Sequence, residues 1–409
     1  MSAMAVGLSG DIEPKAVMGV RLGSTPLGVR TEPRDDLTII ELAAGSRGAA
    51  VFTQNAFCAA PVTVAREHLS RAAPRYLLIN AGNANAGTGR EGLADARSSC
   101  QAVAERAGCQ ADAVLPFSTG VIGERMPMER FPEAIDGALA RLDENGWADA
   151  ARAIMTTDTV AKCLSREFDV DGHTLTVTGI AKGSGMIRPD MATMLAFVAT
   201  DADVEQSLLQ DCLARASQQS FNRITVDGDT STNDACVLLA TGAGRAPCID
   251  DPSSDAAQAL CAAVAEVCTW LAHAIVRDAE GASKFITVTV NEGRDEEECV
   301  RLAYAVAHSP LVMTAMFASD ANWGRILAVV GRAGLEELDI TAVGIHLGDV
   351  CIVAAGERAA DYTEERGQRV MSEEEIAITI DLGRGASGTT IWTSDLSHGY
   401  VTINAEYRT

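Results

Sequence analysis

Aromatic residues are scarce in this chain: Trp, Tyr and Phe make up 4% of its 409 residues. Large rings therefore carry little of the core, and packing falls mainly to Ala, Val, Leu, Ile and Met. Basic residues are also short, with 33 Lys and Arg against 56 Asp and Glu and a formal charge of −23. That balance argues against nucleic acid or an anionic membrane surface as partner and suits cationic small molecules. No apolar run reaches the roughly 18 residues of a membrane span, and residues 1–15 lack the apolar core of a signal peptide. Eleven cysteines, an odd number without paired spacing, read as reduced thiols of a cytoplasmic protein. A Walker lysine motif, zinc-ligand spacing and a G-x-S-x-G elbow are all missing, so neither metal nor organic cofactor is expected.

What is present converges on the stretch from Lys182 to Asp201. Residues 182–190 are rich in glycine and proline, giving a loop whose backbone can approach other groups closely. Residues 194–198 are a short apolar run with the length of a buried strand. Thr193 sits at the join, directly after the small Ala192. Threonine is a poor nucleophile without a base, and none of the six histidines lies near it in sequence. A self-contained solution is the α-amine of an N-terminal threonine, freed by cutting the Ala192–Thr193 bond through attack of the Thr193 hydroxyl on the preceding carbonyl. On spacing alone, a β-branched residue opening a strand is the more economical account of Thr193.

Apolar patterning predicts strands over 49–55, 61–66, 76–80 and 113–116, and helices over 91–107, 128–142 and 147–155. A hairpin is expected over 167–178 about Asp171-Gly172. Beyond the loop come a helix over 204–219, a strand over 235–240 and a long helix over 253–278. From Lys284 onward the pattern is strands at 285–290, 341–347, 351–355, 376–382 and 389–393, with one helix over 296–307. Hairpins mixed with long helices predict a layered α/β (α+β) fold rather than a doubly wound one. Domains are expected over 1–283 and, smaller and also α/β, over 284–409. Gly87-Thr-Gly-Arg-Glu-Gly92 satisfies G-x-G-x-x-G between a strand and a helix, so a non-enzymatic nucleotide-binding module is an alternative function. Its long Asn/Ala-rich lead-in and the lack of an acidic residue about 20 positions on count against it. Asp227, Asp229 and Asp234 suggest a cation site, but turn chemistry among the neighbouring Thr and Ser accounts for them.

Gly183-Ser-Gly-Met-Ile-Arg-Pro-Asp-Met-Ala-Thr-Met-Leu-Ala-Phe197 resembles the processing signature of the ornithine acetyltransferases, the glutamate N-acetyltransferases of the cyclic arginine pathway. Further segments are similar in order along the chain: Asn80-Ala-Gly-Asn-Ala-Asn-Ala-Gly-Thr-Gly89, Ser118-Thr-Gly-Val-Ile-Gly123, Ile154-Met-Thr-Thr-Asp-Thr159, Asn222-Arg-Ile-Thr-Val-Asp-Gly-Asp-Thr-Ser-Thr-Asn-Asp234, Asn322-Trp-Gly-Arg325 and Ile403-Asn-Ala-Glu-Tyr-Arg-Thr409. The resemblance implies an αββα sandwich like that of N-terminal-nucleophile hydrolases. It also implies autocatalytic cleavage between Ala192 and Thr193, giving an α chain 1–192 and a β chain 193–409 that stay together as α2β2. Transfer would be ping-pong through an acetyl-threonine, from N-acetylornithine to glutamate, with acetyl-CoA as a further candidate donor. Thr119 and Gly120 would form the oxyanion hole, while Thr156, Lys182, Thr193, Glu280, Asn404 and Thr409 would bind substrate.

Read from composition alone, Lys182 is an ordinary solvated lysine, Thr156 a helix-end turn residue, Glu280 a charged helix terminus, and the C-terminal residues a frayed tail. Arg188 and Asp190 depart from the Ala and Asn more frequent in the family, Met313 from Lys, and Ala321 from Pro. None of these removes a proposed catalytic group. An amidase or peptidase of the same nucleophile class remains the alternative enzyme.

Overall fold

The computed structural model describes residues 5–29, 34–188 and 194–406. They divide into two compact units: Gly10–Asn222 with Thr230–Ile275, and Arg223–Asp229 with Val276 onward and the residues before Gly10. In chain order the larger unit runs β1 (Val20–Thr25), β2 (Leu37–Leu42), β3 (Arg47–Phe52), α1 (Ala60–Leu69), β4 (Tyr76–Asn83), α2 (Gly89–Ala107), β5 (Val114–Val121), α3 (Phe131–Ala140), α4 (Trp147–Ala153), β6 (Lys162–Val170), β7 (His173–Lys182), β8 (Leu195–Thr200), α5 (Gln206–Gln219), β9 (Ala235–Ala240) and α6 (Asp255–Arg277).

Two sheets form its centre, one ordered β1-β2-β4-β5 and the other β3-β9-β8-β7-β6. Strand alternation sorts the side chains between layers. Leu77 and Ile79 of β4 pack between the sheets with Leu195, Phe197 and Val237, while Tyr76 and Leu78 face Ala96, Cys100 and Phe131 of the covering helices. Phe117 and Phe197 meet edge to face across the inter-sheet core at 5.0 Å between centroids, the geometry that ring quadrupoles favour. On the far side, the position where Gly179 would carry a Cβ is crowded by Val267 and Leu271 of α6, so glycine lets the long helix lie close on β7. Helix, sheet, sheet and helix thus stack in four layers.

Burial on both faces explains why these strands read as continuous apolar runs. It also explains one misreading. Residues 61–66, expected as a strand from Val62-Thr-Val64, lie inside α1. Pro61 stands in its first turn, where its missing N–H has no partner to lose, and Ala60, Val64, Ala65 and His68 recur at helical spacing on the buried side. Helix α6 is by length and mean hydropathy apolar enough to cross a bilayer, but Leu260, Val264, Val267 and Leu271 are fully buried in the protein core.

The smaller unit contains β10 (Phe285–Gly293), α7 (Glu296–Ala307), α8 (Pro310–Phe317), α9 (Trp323–Arg332), β11 (Gly344–Leu347), β12 (Val350–Ala354), β13 (Glu357–Arg358), α10 (Glu364–Met371), β14 (Glu375–Asp381), β15 (Ser387–Ser394) and α11 (His398–Glu406). Its sheet is ordered β13-β12-β11-β14-β10-β15, with Val288, Ile378, Ile380 and Leu302 among the core. Helices α8, α9, α10 and α11 join the one helix expected here. They are only 8 to 10 residues long, and α11 has no fully buried residue to mark an apolar stripe.

Candidate active site

The end of β5 is built by asparagines. Asn80 Nδ2 donates to Ser118 Oγ at 2.6 Å and Asn233 Nδ2 to the Ser118 carbonyl at 2.9 Å, which fixes the peptide leading into Thr119. The parallel register between β4 and β5 breaks at Gly82 and Asn83 opposite Thr119 and Gly120. Gly120 has φ +128, and a Cβ there would stand 2.3 Å from the Gly82 carbonyl carbon. Only glycine fits so close a backbone approach. The same network accounts for the G-x-G-x-x-G match. Asn85 Nδ2 donates to the Gly92 carbonyl, Thr88 Oγ1 donates to Asn85 Oδ1, and a Cβ on Gly92 would overlap Thr88 Oγ1. The loop's polar groups are spent on its own closure rather than on a phosphate cradle.

Lys182 ends β7, and its Nζ donates to Thr119 Oγ1 at 3.1 Å. With the oxygen lone pair engaged by the ammonium, the Thr119 hydroxyl proton is free to point at an incoming anion. Behind this pair lies Asp158, fully buried, whose Oδ1 accepts from Lys162 Nζ and from the Gly183 N–H, both at 2.7 Å, and whose Oδ2 accepts from the Thr156 N–H at 2.9 Å. Burial opposes its ionisation. The Lys162 and Lys182 ammoniums and the Gly183 N–H outweigh that and hold the carboxyl below the usual range. Asp158 therefore ties together the Thr156 turn, the first residue of the Lys182 loop and two cations. Sequence reasoning passed over Asp158, Lys162 and Asn233. Their only signal was the motif strings Ile154 to Thr159 and Asn222 to Asp234, which contain two of them.

Within the smaller unit, Asn404 Nδ2 on α11 donates to Glu280 Oε2 at 2.7 Å. A Cβ on Gly281 would lie 2.5 Å from the Tyr400 N atom, so glycine again permits the approach, here of a turn to the first residues of α11. Ser397 Oγ donates to the Gly281 carbonyl at 2.6 Å, and the Tyr400 hydroxyl donates to Asp227 at 3.2 Å. Burial, then the Asp227 carboxylate, pushes the Tyr400 phenol up. The tail residues 398–406 are thus a docked helix rather than a frayed end. Met313 is buried in α8, and the Arg188 carbonyl accepts from Thr230 Oγ1 at 3.1 Å. Ala192, Thr193, Asp190 and Thr409 lie outside the described residues. Among the described residues no group of three or more His, Cys, Asp or Glu is placed to hold a metal ion.

The fold is a four-layer α/β sandwich, helix–sheet–sheet–helix. Comparison with known proteins narrows the class. The sequence profile of the ArgJ family matches residues 21–409, and the chain belongs to that family. It is 55% identical over 406 residues to the arginine biosynthesis bifunctional protein ArgJ of Pseudomonas syringae pv. tomato, covering 99% of this chain and 100% of that one. The protein of the same name from Methylococcus capsulatus is 58% identical over 399 residues, covering 98% and 97%. Among solved structures, that of arginine biosynthesis bifunctional protein argJ from Bacillus halodurans is 36% identical with a TM-score of 0.50, spanning 53% of this chain and all of that one.

Proposed function

We propose that this protein is a self-processing acetyltransferase of arginine biosynthesis that moves the acetyl group of N-acetylornithine to glutamate. The observation that carries the reading is identity of 55% and 58% over nearly the whole chain to proteins named as bifunctional proteins of arginine biosynthesis. Bifunctionality here means that acetyl-CoA serves as a second acetyl donor to glutamate. Cleavage falls between Ala192 and Thr193, the α and β chains remain paired as α2β2, and the enzyme works in the cytoplasm. A cut before Thr193 leaves residues 193–409, which are 217 residues or 53% of the chain. The Bacillus halodurans chain aligns over its full length with the same fraction, an agreement in extent that supports the cut.

In the first half-reaction the Thr193 hydroxyl attacks the acetyl carbonyl carbon while its own α-amine takes the proton. Charge developing on the carbonyl oxygen is met by the Thr119 hydroxyl and the Gly120 N–H, with the Lys182 ammonium polarising the former. A preorganised donor of this kind is worth roughly 3–4 kcal/mol of barrier. The proton passes to the departing α-nitrogen and ornithine leaves. In the second half-reaction the glutamate amine attacks the acetyl-threonine ester. Thr156 and Lys182 hold the substrate's carboxylate end, Glu280 balances the ornithine δ-ammonium, and Asn404 and Thr409 complete the binding set.

Intact-mass measurement and an acetyl-transfer assay test this together. Wild type should give two chains, the second beginning Thr-Met-Leu-Ala, and should transfer acetyl to glutamate without releasing acetate. Thr193→Ala should give one uncut chain with no transfer. Cleavage persisting in that variant removes Thr193 from the mechanism, and acetate release in place of transfer makes the protein an amidase.

A further inference from the structure

Helix α11 reaches Glu280 through the amide of Asn404. Its Nδ2 donates to Glu280 Oε2 at 2.7 Å and to the Tyr400 carbonyl at 3.0 Å. A carboxylate and a carbonyl can only accept, so the NH₂ end of the amide has to face them and both of its protons are spent. The polar atoms left over are Glu280 Oε1 and Asn404 Oδ1, and neither carries a hydrogen bond among the described residues. Both are acceptors. An ammonium, which has donors alone, suits such a pair, and a carboxylate does not.

That arrangement needs α11 to stay in place, and burial does little to keep it there. The helix has nine residues and none is buried, whereas isolated helices shorter than about 12–15 residues are marginal in water. Asn404 itself is exposed, while Glu280 is 8% exposed. Discrete ties hold the first turn instead. Ser397 Oγ donates to the Gly281 carbonyl, the His398 ring meets Phe317 edge to face at 5.7 Å, and the Tyr400 phenol donates to Asp227 Oδ2 at 3.2 Å.

Tyr400 is the residue where these ties converge. Its backbone nitrogen lies over Gly281, directly after Glu280, at a distance that only glycine allows. Its carbonyl takes the second Asn404 proton one helical turn on, and its phenol anchors that turn to Asp227. Burial and the Asp227, Glu280 and Asp229 carboxylates push the phenol up, so it remains a donor at neutral pH.

We propose that Tyr400, anchored by Asp227, is a positioning residue for recognition of the ornithine end of the substrate: it holds Asn404 so that the amide is spent on Glu280 and acceptor atoms alone are left for the ammonium. The proposal rests on the charge-pairing role of Glu280 given above. Tyr400 acts through Asn404 and Glu280 and touches no substrate itself.

The test is steady-state kinetics with both substrates on two variants. Tyr400→Phe keeps the ring and deletes the phenol oxygen, and Asp227→Ala deletes its acceptor. Each should raise KM for N-acetylornithine about three- to tenfold, part of what a hydrogen bond to a charged group supplies, with kcat and KM for glutamate changed by less than about twofold. Added to Glu280→Gln, Tyr400→Phe should raise KM for N-acetylornithine by less than about twofold further, because the charge it positions is already gone. A merely structural loss of α11 would lower melting temperature and kcat without this selectivity. Unchanged KM for N-acetylornithine in both single variants, equal rises for both substrates, or full additivity with Glu280→Gln each overturns the proposal. Should Tyr400→Phe fold poorly, Asp227→Ala carries the same comparison. Glu280→Gln alone separates the two levels: without a selective loss of N-acetylornithine the charge pairing falls and takes the positioning with it, whereas a selective loss there and none in Tyr400→Phe or Asp227→Ala overturns the positioning only.

Discussion

Asp158→Asn is the most revealing single change outside the reacting residues. The wild-type carboxylate accepts from donors on both sides: Lys162 Nζ and the Gly183 N–H at Oδ1, and the Thr156 N–H at Oδ2. An asparagine amide has one acceptor oxygen, so whichever way it turns, its NH₂ faces a donor. The Lys162 side chain is 1% exposed and that of Asp158 not at all, so the change removes a carboxylate charge from beside a buried ammonium. Breaking a buried pair in this way costs about 3–5 kcal/mol. The assay is urea unfolding of variant and wild type side by side. Adding Lys162→Met to the variant should recover about 1–3 kcal/mol, because the buried ammonium that faced the lost carboxylate is removed with it.

The pH dependence has a definite sign. The folded-state value of Asp158 lies below that of the unfolded carboxyl, about 3.9, so the stabilisation is fully present above the unfolded value and is lost as pH falls through the folded one. The gap between wild type and Asp158→Asn should be constant from neutrality down to about pH 5 and close only in stronger acid. A variant within about 1 kcal/mol of wild type at neutral pH would refute the reasoning, since it would mean Lys162 finds equal compensation elsewhere.

Two further outcomes are expected at the site. Thr119→Val keeps the side-chain shape but removes the hydroxyl that Lys182 orients, and steady-state kinetics should show kcat reduced about 10²–10³-fold with KM little changed; a pure KM effect reassigns Thr119 to ground-state binding. Glu280→Gln keeps the contact with Asn404 while deleting the charge, so KM for N-acetylornithine should rise by about tenfold, the equivalent of about 1.4 kcal/mol, with a smaller change for glutamate. Equal losses for both substrates would rule out charge pairing.

The long elements were legible because their patterns are strong. The Asp171-Gly172 hairpin, the 235–240 strand and the 296–307 helix stand where alternation, turn residues and helical spacing put them. Failures came in the smaller unit's short helices and where burial masked the period. Helix α9 buries Ile326, Val329 and Val330 at helical spacing and still went unread, and Val62-Thr-Val64 has strand-like composition inside a helix whose spacing only its buried contacts reveal.

The site divides along the same line. The chain by itself determined the chemistry-bearing strings: Thr193 after a small residue at a loop-to-strand join, Thr119-Gly120 at the end of a strand, and Glu280 before a glycine. Sequence order fixes covalent neighbours and local spacing, so these were readable without coordinates. Tertiary structure alone decided that Lys182 reaches Thr119 across 63 positions, and that one buried carboxylate, Asp158, is held ionised by two lysines. Those relations arise from strand order and from burial, which sets the cost of each unpaired charge, and neither is written in local sequence.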